Sequence, residues 1–501
     1  MIRADATPTM GAGHIMRCLA LAQAWKRSKG DVVFVSAATV PLALERIRRE
    51  GFEVELLRTE AGSREDATFT RAIVEARQTR WMAIDGYHFS ADYVNAVQTN
   101  GSKVLLIDDV GRLSAVADVI LNQNLHATAA MYPGRDRKTS LLLGTRFVML
   151  RKEFIDGPEQ ARQIPRIAAK ILVTFGGGMQ QTALNEMLRA VTVFGSEIEV
   201  AVVGCEPPRI REFECTARIT FLGMVEDMAS VMAGADIALS AAGSTCWELC
   251  RLGVPSIVID LADNQRLLGR ELNSMGIAIH IPREKANAAN LSHALRELIP
   301  DERRRREMSE KGMGLVDGKG SQRAVAALRA QGIQLRDAQT EDAPLLWNWA
   351  NDPKVRAASF SGQAISWDEH SDWMARKLRE KNCRIWVAEE NGCPLGTVRA
   401  HRTSEDRAEL GITIAPELRG YGLAVWLIRK GVERTAEMWG LSASHALIKP
   451  ENLSSIRAFE GAGFEFDGLT TVNGCEAVRY VHSHHPAAGD DNYTACFATE
   501  Q

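Results

Sequence analysis

The stretch "LSAAGSTCWELCRLGVPSIVIDLADNQ", residues 239–265, decides the fold class of the first two thirds of the chain. It reads as an apolar strand, a turn of small residues, a helix beginning near Ser244, and a second apolar strand ending before Asn264 and Gln265. Strand, helix and strand in this order form a βαβ unit with both strands parallel in one sheet. The turn after the first strand then lies at the carboxyl edge of the sheet, where open α/β sheets bind ligands.

The same alternation extends on both sides of this stretch. From Val32 onward, β-rich runs such as "DVVFVSA", "FEVELL", "RWMAIDGYH" and "KVLLIDDV" alternate with amphipathic helical runs. The pattern restarts at "AAKILVTFGGG", residues 168–178, after a segment with two prolines and no clear period at 152–167. Because such a segment is typical of a linker, we predict two α/β domains, at residues 1–155 and 165–330.

A third domain follows a basic helical run that contains Arg303 to Arg306, which we read as a solvated helix face. From Ile333 the chain is richer in tryptophan, and "CRIWVAEENGCPLGTVRAHR" reads as a hairpin around Asn391 and Gly392. We predict a mixed α/β domain at 333–483 and a loose tail at 484–501, where periodicity is lost.

The composition excludes several classes of protein. A chain of 501 residues exceeds one hydrophobic core, and a net charge of −3 gives no electrostatic case for nucleic acid or an anionic membrane. Nine scattered cysteines without a C-x-x-C pair favour free thiols and give no zinc signature. Without a signal core or a long apolar run, we expect a cytoplasmic protein that uses no metal; its oligomeric state stays open.

A histidine follows two glycines in "MGAGHIMRCLALAQAW", residues 10–25. Gly11 and Gly13 allow a sharp turn that exposes backbone amides before a helix. His14 would then lie at the sheet rim, where a neutral imidazole can take a proton from water. From the spacing alone, this catalytic role and a structural role in the first helical turn are equally open.

The turn of the opening stretch offers a site for a nucleotide. Ser244 and Thr245 can place hydroxyls and amides around a diphosphate, and Glu248, one helical turn later, can accept bonds from ribose hydroxyls. A capping interaction between Ser244 and Glu248 is the alternative, although the spacing is not quite that of a capping box. The turn "FGGG", residues 175–178, can let a ligand approach the backbone or form a plain tight turn.

Four segments together resemble one family of sugar-processing enzymes. They are "RADATPTMGAGHIMRCLALA", "AIDGYHFSADY", "LLIDDVGRLSAVADVILNQN" and the opening stretch. They resemble the UDP-2,4-diacetamido-2,4,6-trideoxy-β-L-altropyranose hydrolases of pseudaminic acid biosynthesis, and spore-coat polysaccharide proteins of the same kind, over roughly residues 1–330. Two positions depart from the family pattern: "GGGMQ" stands where the family reads more like G-G-S-D, and Ala242 replaces a second glycine.

This resemblance implies a GT-B type pair of Rossmann-like domains with a cleft between them. It also implies metal-independent removal of UDP from a nucleotide sugar with inversion, His14 being the base that activates water. The residues that it places around UDP and the sugar are Gly11, Gly13, Arg17, Asp85, Tyr87, Asn122, Gly176, Gly177, Gly243, Ser244, Thr245, Glu248, Asn264 and Gln265.

The third domain contains "AELGITIAPELRGYGLAVWLIRKGVERTAEMWG", residues 408–440, a strand, a glycine-rich turn and a long helix. Small residues and free amides at such a helix start suit a pyrophosphate. With "NLSSIRAFEGAGF" after the next strand, the segment resembles motifs A and B of the GNAT acetyltransferases, which implies acetyl-CoA as co-substrate. The residues implied in binding it are Ile414, Arg419, Gly420, Gly422, Ala424, Asn452 and Ser455.

Acetyl transfer in that family is direct attack of an amine on the thioester, and many relatives have a tyrosine acid where this chain has Phe459. A phenyl ring cannot donate a proton, so the acid must be another group or water. Glu409 can act as a base through water, or it is an ordinary strand glutamate. His370 and His401 are weaker candidates.

The two resemblances predict a bifunctional enzyme that N-acetylates a UDP-linked 4-amino-4,6-dideoxy sugar and then removes UDP. Its partners would be this UDP-sugar and acetyl-CoA, without nucleic acid or membrane. Two alternatives stay open: a GT-B glycosyltransferase, and a non-catalytic UDP-sugar-binding module, each fused to an acetyltransferase, which in the second case would modify proteins.

Overall fold

The computed structural model describes residues 1–7, 11–111, 117–136, 138–156, 162–175, 180–204, 217–390, 392–420 and 422–484. The chain divides into two compact units, Met1–Ala324 and Val325–Gln501. The predicted tail lies outside the described residues except for His484. Within the described ranges, no helix combines the length and the apolar character that a membrane span requires.

The first half of unit 1 is a parallel seven-stranded sheet with helices between its strands. Its elements are β1 (Ile2–Ala4), α1 (Gly13–Arg27), β2 (Val33–Ser36), α2 (Pro41–Arg49), β3 (Glu53–Leu56), α3 (Arg64–Ala76), β4 (Trp81–Asp85), α4 (Ala91–Val97), β5 (Lys103–Ile107), β6 (Val119–Asn122) and β7 (Ser140–Leu143). The strand order is β3-β2-β1-β4-β5-β6-β7.

The second half is a parallel six-stranded sheet of order β10-β9-β8-β11-β12-β13. Its elements are β8 (Lys170–Thr174), α5 (Gln181–Val191), β9 (Glu199–Val203), β10 (Arg218–Gly223), α6 (Met228–Ala233), β11 (Ile237–Ala241), α7 (Thr245–Arg251), β12 (Ser256–Ile259), α8 (Asp263–Ser274), β13 (Ala278–Ile281), α9 (Ala288–Leu298) and α10 (Glu302–Leu315). Helix α11 (Gly320–Ala330) contains the unit boundary.

Both sheets reverse their strand order at one point, and this is where the predicted motifs lie. In the first sheet the reversal is between β1 and β4, and in the second it is between β8 and β11. At such a switch point the loops leave the sheet in opposite directions and open a crevice at the carboxyl edge. The segment with Gly11 to His14 follows β1, and the turn with Ser244 follows β11.

The strands are apolar because both faces of each parallel sheet are covered. In the second half, one buried cluster joins Ile171, Val173 and Leu239 to α5 and α9, and another joins Leu172, Ala238 and Trp247 to α6 and α7. Alternate residues of the same strands therefore face different helical layers. The α/β class predicted from the sequence is confirmed, while the exact domain boundaries stay a prediction.

The expectation that Arg303 to Arg306 form a solvated face is wrong for Arg305. The Arg305 side chain is fully buried and donates hydrogen bonds to the carbonyl oxygens of Leu298, Pro165 and Arg166 at 3.0, 2.7 and 3.0 Å. These three bonds come from Nε and Nη2, and they tie α10 to the segment that enters the second half.

Unit 2 has a seven-stranded mixed sheet of order β14-β15-β16-β17-β18-β20-β19. Its elements are β14 (Gln334–Asp337), α12 (Ala343–Ala350), α13 (Pro353–Ala358), α14 (Trp367–Arg379), β15 (Cys383–Glu390), β16 (Cys393–Arg402), β17 (Arg407–Ile414), α15 (Leu423–Trp439), β18 (Ala443–Ile448), α16 (Leu453–Gly461), β19 (Glu465–Val472) and β20 (Cys475–Ser483). Strands β15 and β16 pair antiparallel on either side of Gly392, as the predicted hairpin requires.

Strands β17 and β18 are parallel, unlike the other pairs of this sheet. Their ladder contains the pairs Arg407 with Ala443, Ala408 with Ser444, and Glu409 with His445. Beyond Glu409, β17 stays paired with β16 up to Ile414, and β18 stays paired with β20 up to Ile448. The two central strands therefore separate toward their carboxyl ends, and a gap opens in the sheet.

Candidate functional site

In unit 1 the site is built around the first switch point. His14 is the second residue of α1, which follows β1, and Asp85 is the last residue of β4, the neighbour of β1. Both side chains are buried. Residues 71 positions apart thus meet because β1 and β4 end side by side.

His14 is oriented by a carboxylate. Its Nδ1 lies 2.7 Å from Asp85 Oδ1, while Arg17 holds the same carboxylate with Nε on Oδ2 and Nη2 on Oδ1, both at 2.6 Å. An ionised carboxylate can only accept, so Nδ1 carries the hydrogen and Nε2 keeps its lone pair. This is the tautomer that a general base needs.

Charge keeps Asp85 ionised although it is buried. Burial by itself would raise the pKa of Asp85, but the charge of Arg17, and the hydrogen bonds that Arg17 and His14 donate, lower it well below its usual range. Arg17 also donates to Asp109 Oδ2 at 2.7 Å. Two carboxylates therefore hold Arg17, which leaves its guanidinium as a support for Asp85.

Tyr87 forms the rim of this cluster. Its ring meets the His14 ring edge to face at 4.8 Å, and its hydroxyl donates to Asp109 Oδ2 at 3.1 Å. Burial and the charge of Asp109 raise the pKa of Tyr87 above its ordinary value. The neutral phenol is half exposed, so it can offer an edge to a ligand beside His14.

The second half of unit 1 reaches this cluster at two places. A Cβ placed on Gly13 would lie 3.6 Å from Ser244 Oγ, so the turn after β11 faces the start of α1. Asn264 Nδ2 donates to the Tyr87 hydroxyl at 3.3 Å. The two switch points thus face each other.

Ser244 precedes α7 but its side chain makes no capping hydrogen bond there, and Thr245 is the first residue of the helix. Glu248 instead bonds Arg151, whose Nη2 lies 2.9 Å from Glu248 Oε1. Burial raises the pKa of Glu248 above its ordinary value although Arg151 opposes the shift. Sequence reasoning missed Arg151, because a residue 97 positions away gives no local signal.

Other predicted residues have structural partners of their own. Asn122 is fully buried, donates to the Tyr132 hydroxyl at 3.0 Å and accepts from Asn124. Gln265 Oε1 accepts from the backbone amide of Leu261 at 2.9 Å, and its amide nitrogen lies beside Gly243. Gly11 has φ +78° and donates its amide to the Thr7 carbonyl. Gly176 and Gly177 lie outside the described residues.

In unit 2 the glycine turn follows β17. Gly420 and Gly422 have φ values of +83° and +84°, a conformation that suits glycine, and Gly422 is the N-cap of α15. Arg419 pairs with Asp352 Oδ1 at 2.6 Å and donates from Nε to the Ile414 carbonyl at 3.2 Å. Ala424 lies in the first turn of α15, so the residues of the motif form the connection from the carboxyl end of β17 to this helix.

The second motif follows β18. Asn452 caps α16 and accepts from the Ser455 amide at 3.2 Å. Phe459 is buried and packs edge to face against Phe464 at 5.0 Å. Glu409 lies on β17 with its carboxylate 3.8 Å from Arg399 Nη2. The structure therefore brings both motifs and Glu409 around the gap, with Phe459 in the core.

Comparisons with known proteins agree with the division of the chain into two units. Residues 171–324 match the model of the Glycosyltransferase family 28 C-terminal domain, and residues 333–465 match that of the Acetyltransferase (GNAT) domain. The chain thus joins a glycosyltransferase-like nucleotide-sugar domain to a GNAT acetyltransferase domain.

Individual relatives resemble different shares of the chain. An uncharacterized protein of Methanocaldococcus jannaschii is 20% identical over 502 residues, covering 92% of this chain and 95% of its own. The spore coat polysaccharide biosynthesis protein SpsG of Bacillus subtilis is 22% identical, covering 66% of this chain and 97% of its own. A UDP-N-acetylglucosamine--N-acetylmuramyl-(pentapeptide) pyrophosphoryl-undecaprenol N-acetylglucosamine transferase of Xylella fastidiosa is 31% identical over 29% of this chain, and the match spans 43% of that enzyme.

Proposed function

We propose that this chain acetylates a UDP-linked 4-amino-4,6-dideoxy sugar and then hydrolyses the product to UDP and 2,4-diacetamido-2,4,6-trideoxy-L-altrose or a close analogue, as in pseudaminic acid biosynthesis. The observation that carries the hydrolytic step is the contact of 2.7 Å between His14 Nδ1 and Asp85, opposite the turn with Ser244. The second step follows the first because its substrate is the acetylated sugar.

In the hydrolytic step, His14 Nε2 takes a proton from water as the oxygen attacks the anomeric carbon. The bond between that carbon and the UDP oxygen breaks, and its electron pair leaves with UDP. The Asp85 carboxylate stabilises the imidazolium that forms. Attack from the face opposite to UDP inverts the anomeric configuration, and no metal takes part in this proposal.

UDP would bind to the second half of unit 1. Ser244 is free of a capping role, so its hydroxyl and the amide of Thr245 can meet the diphosphate. Glu248 would accept bonds from the ribose hydroxyls beside Arg151, which is already its partner. Gly13 and Asn264 would border the pocket, because both lie at contacts between the two halves.

Acetyl-CoA would bind to unit 2. Its pyrophosphate would accept hydrogen bonds from the backbone amides of Gly420 and Gly422. Both glycines have positive φ angles. The acetyl group would extend into the gap between β17 and β18, where Glu409 lies at the last paired position. The acceptor amine would be the 4-amino group of the UDP-sugar.

The test incubates the full chain with acetyl-CoA and the UDP-4-amino sugar and follows both products by mass spectrometry. We expect an increase of one acetyl group on the UDP-sugar, followed by UDP and the free diacetamido sugar. Acetylation without loss of UDP would overturn the hydrolytic step and retain the acetyltransferase.

A glycosyltransferase is the second candidate, because the match to the Glycosyltransferase family 28 C-terminal domain favours it. His14 would then deprotonate an acceptor hydroxyl instead of water. Release of UDP in buffer without any acceptor supports the hydrolase, and strict dependence on an added sugar or lipid supports the transferase. His14→Ala separates both from a binding module, which would have no turnover to lose.

A further inference from the structure

A row of three titratable side chains crosses the centre of the unit 2 sheet. Glu409 on β17 pairs in register with His401 on β16 and with His445 on β18. Register partners on neighbouring strands point to the same face and lie about 5 Å apart. Glu409 therefore has a histidine on each side, but only His445 lies across the parallel ladder that ends at this pair.

The position of His445 is set by the gap. Because the β17 and β18 ladder ends at Glu409 and His445, these two residues form the vertex where the strands begin to separate. The glycine turn follows β17, and the Asn452 turn follows β18. A ligand that binds both turns and extends into the gap would point its far end at this vertex.

His445 is half-buried, and among the described residues its ring makes no hydrogen bond. The neighbouring histidines differ. His484 contacts Ser444 Oγ at 2.9 Å and the Leu441 carbonyl at 2.9 Å, and His401 lies 3.4 Å from Asn382 Nδ2. His445 thus keeps both ring nitrogens available to a ligand.

Two aromatic residues of unit 2, Phe459 and Tyr480, do not take the role of proton donor. Phe459 stands where many acetyltransferases of this type have a tyrosine, and it is buried in the core. Tyr480 pairs in register with Ala446, the neighbour of His445, so it points to the opposite face of the sheet. Its hydroxyl donates to Glu460 Oε1 at 2.8 Å.

We propose that His445 carries the proton of acetyl transfer, from the incoming ammonium to the departing thiolate; this rests on the proposed acetyltransferase activity. The neutral ring takes one proton from the ammonium, and the amine lone pair attacks the thioester carbon. The carbon–sulfur bond breaks, its electron pair stays on sulfur, and the imidazolium protonates the thiolate. The second proton leaves the new amide nitrogen to water beside Glu409.

The surroundings keep His445 in the form that this step requires. Burial lowers the pKa of His445 below its ordinary value, and Glu409 opposes this shift. Arg479 on β20 and Arg407 on β17 also lower it, whereas Asp467 on β19 raises it. At neutral pH the resting ring is therefore neutral and can accept a proton.

The test compares His445→Gln with His401→Gln, the matched variant on the other side of Glu409. With acetyl-CoA and the UDP-4-amino sugar, released CoA thiol reports the rate. We expect kcat of His445→Gln to fall about 10²- to 10⁴-fold, the usual effect of losing a general acid and base. KM for acetyl-CoA should stay within about twofold, and His401→Gln should keep the wild-type rate. In the wild type, kcat should decrease as the pH falls through the pKa of His445. This decrease should be absent from the pH profile of His445→Gln.

A second measurement needs no acceptor and no variant. Diethyl pyrocarbonate modifies accessible histidines. Mass spectrometry measures the extent of modification at each histidine of the full chain, with and without acetyl-CoA. Acetyl-CoA should protect His445 and leave His401 modified. Unprotected His445, or a wild-type rate and pH profile in His445→Gln, would overturn the inference. The two failures can be distinguished. If acetyl-CoA protects His445 but the wild-type chain acetylates no amino sugar, the proposed substrate is wrong, while the location of His445 beside bound acetyl-CoA is supported.

Discussion

Replacing Asp85 with asparagine tests the base assignment, because it removes a charge and changes the shape very little. The Asp85 carboxylate accepts from His14 Nδ1 at 2.7 Å and from two Arg17 nitrogens at 2.6 Å. An asparagine there has one acceptor and one donor. It favours the His14 tautomer with its hydrogen on Nε2, which cannot take a proton from water.

The magnitude follows from this loss of orientation and charge. When a buried aspartate that orients a catalytic histidine becomes asparagine, kcat falls by about 10⁴-fold in the best-studied case, equivalent to about 5 kcal/mol of barrier. We expect a decrease of 10³- to 10⁴-fold in UDP release by Asp85→Asn. Removing one partner of a buried ion pair also costs about 3–5 kcal/mol of stability. In this variant Arg17 would still have its second carboxylate partner, Asp109, at 2.7 Å.

The assay follows UDP release by chromatography at low temperature, where the variant stays folded. Acetyl transfer by unit 2 of the same preparation is the internal control, and UDP binding reports an intact pocket. Asp109→Asn is the matched variant: it removes the other partner of Arg17 and leaves the contact between His14 and Asp85. It should destabilise the chain comparably and lower the rate by no more than about tenfold, because the base keeps its tautomer. Asp85→Asn that binds UDP and keeps its rate within tenfold would refute this account of His14.

Three further predictions concern binding and stability. Glu248→Gln should weaken UDP binding about tenfold by calorimetry, since hydrogen bonds to a charged acceptor are worth about 1.5–3 kcal/mol; unchanged affinity would remove Glu248 from the ribose site. Gly422→Ala should raise KM for acetyl-CoA several-fold, because φ is +84° there and a side chain costs about 1–2 kcal/mol in the left-handed region. Gly362→Ala, at a site with open space, is the control and should leave KM unchanged. Burial would raise the pKa of Asp5, but the hydrogen bond from His88 and a nearby arginine charge lower it to about 2. Asp5 therefore contributes about 2 kcal/mol above pH 4 that is lost as the pH falls toward 2, and Asp5→Asn should unfold in urea with a weaker dependence on pH in this range.

Much of the fold can be predicted from local sequence patterns. Apolar strands alternating with amphipathic helices predict parallel sheets, and both sheets of unit 1 are parallel throughout the described residues. The glycine turns at the start of α1 and α15 could also be predicted, because the backbone conformation at Gly11 and Gly422 is a local property. The same argument fails for Arg305: its charge predicts exposure, and only the carbonyls around it explain its burial.

The partners of the site residues could not be read from the sequence. Asp85 is 71 positions from His14, Arg151 is 97 from Glu248, and nothing in the spacing connects them. They meet because strand order places the ends of distant strands together.

The sequence by itself determined that this chain has α/β domains and where its turns and helices begin, and it predicted candidate side chains for binding a nucleotide or moving a proton. These properties depend on periodicity and on backbone preferences within a few residues. Only the tertiary structure decided that Asp85 orients His14, that Ser244 faces Gly13, and that His445 rather than His401 lies at the vertex of the β17 and β18 gap. Strand order and register settle such pairings, because they place residues that are far apart in the chain next to each other in the fold.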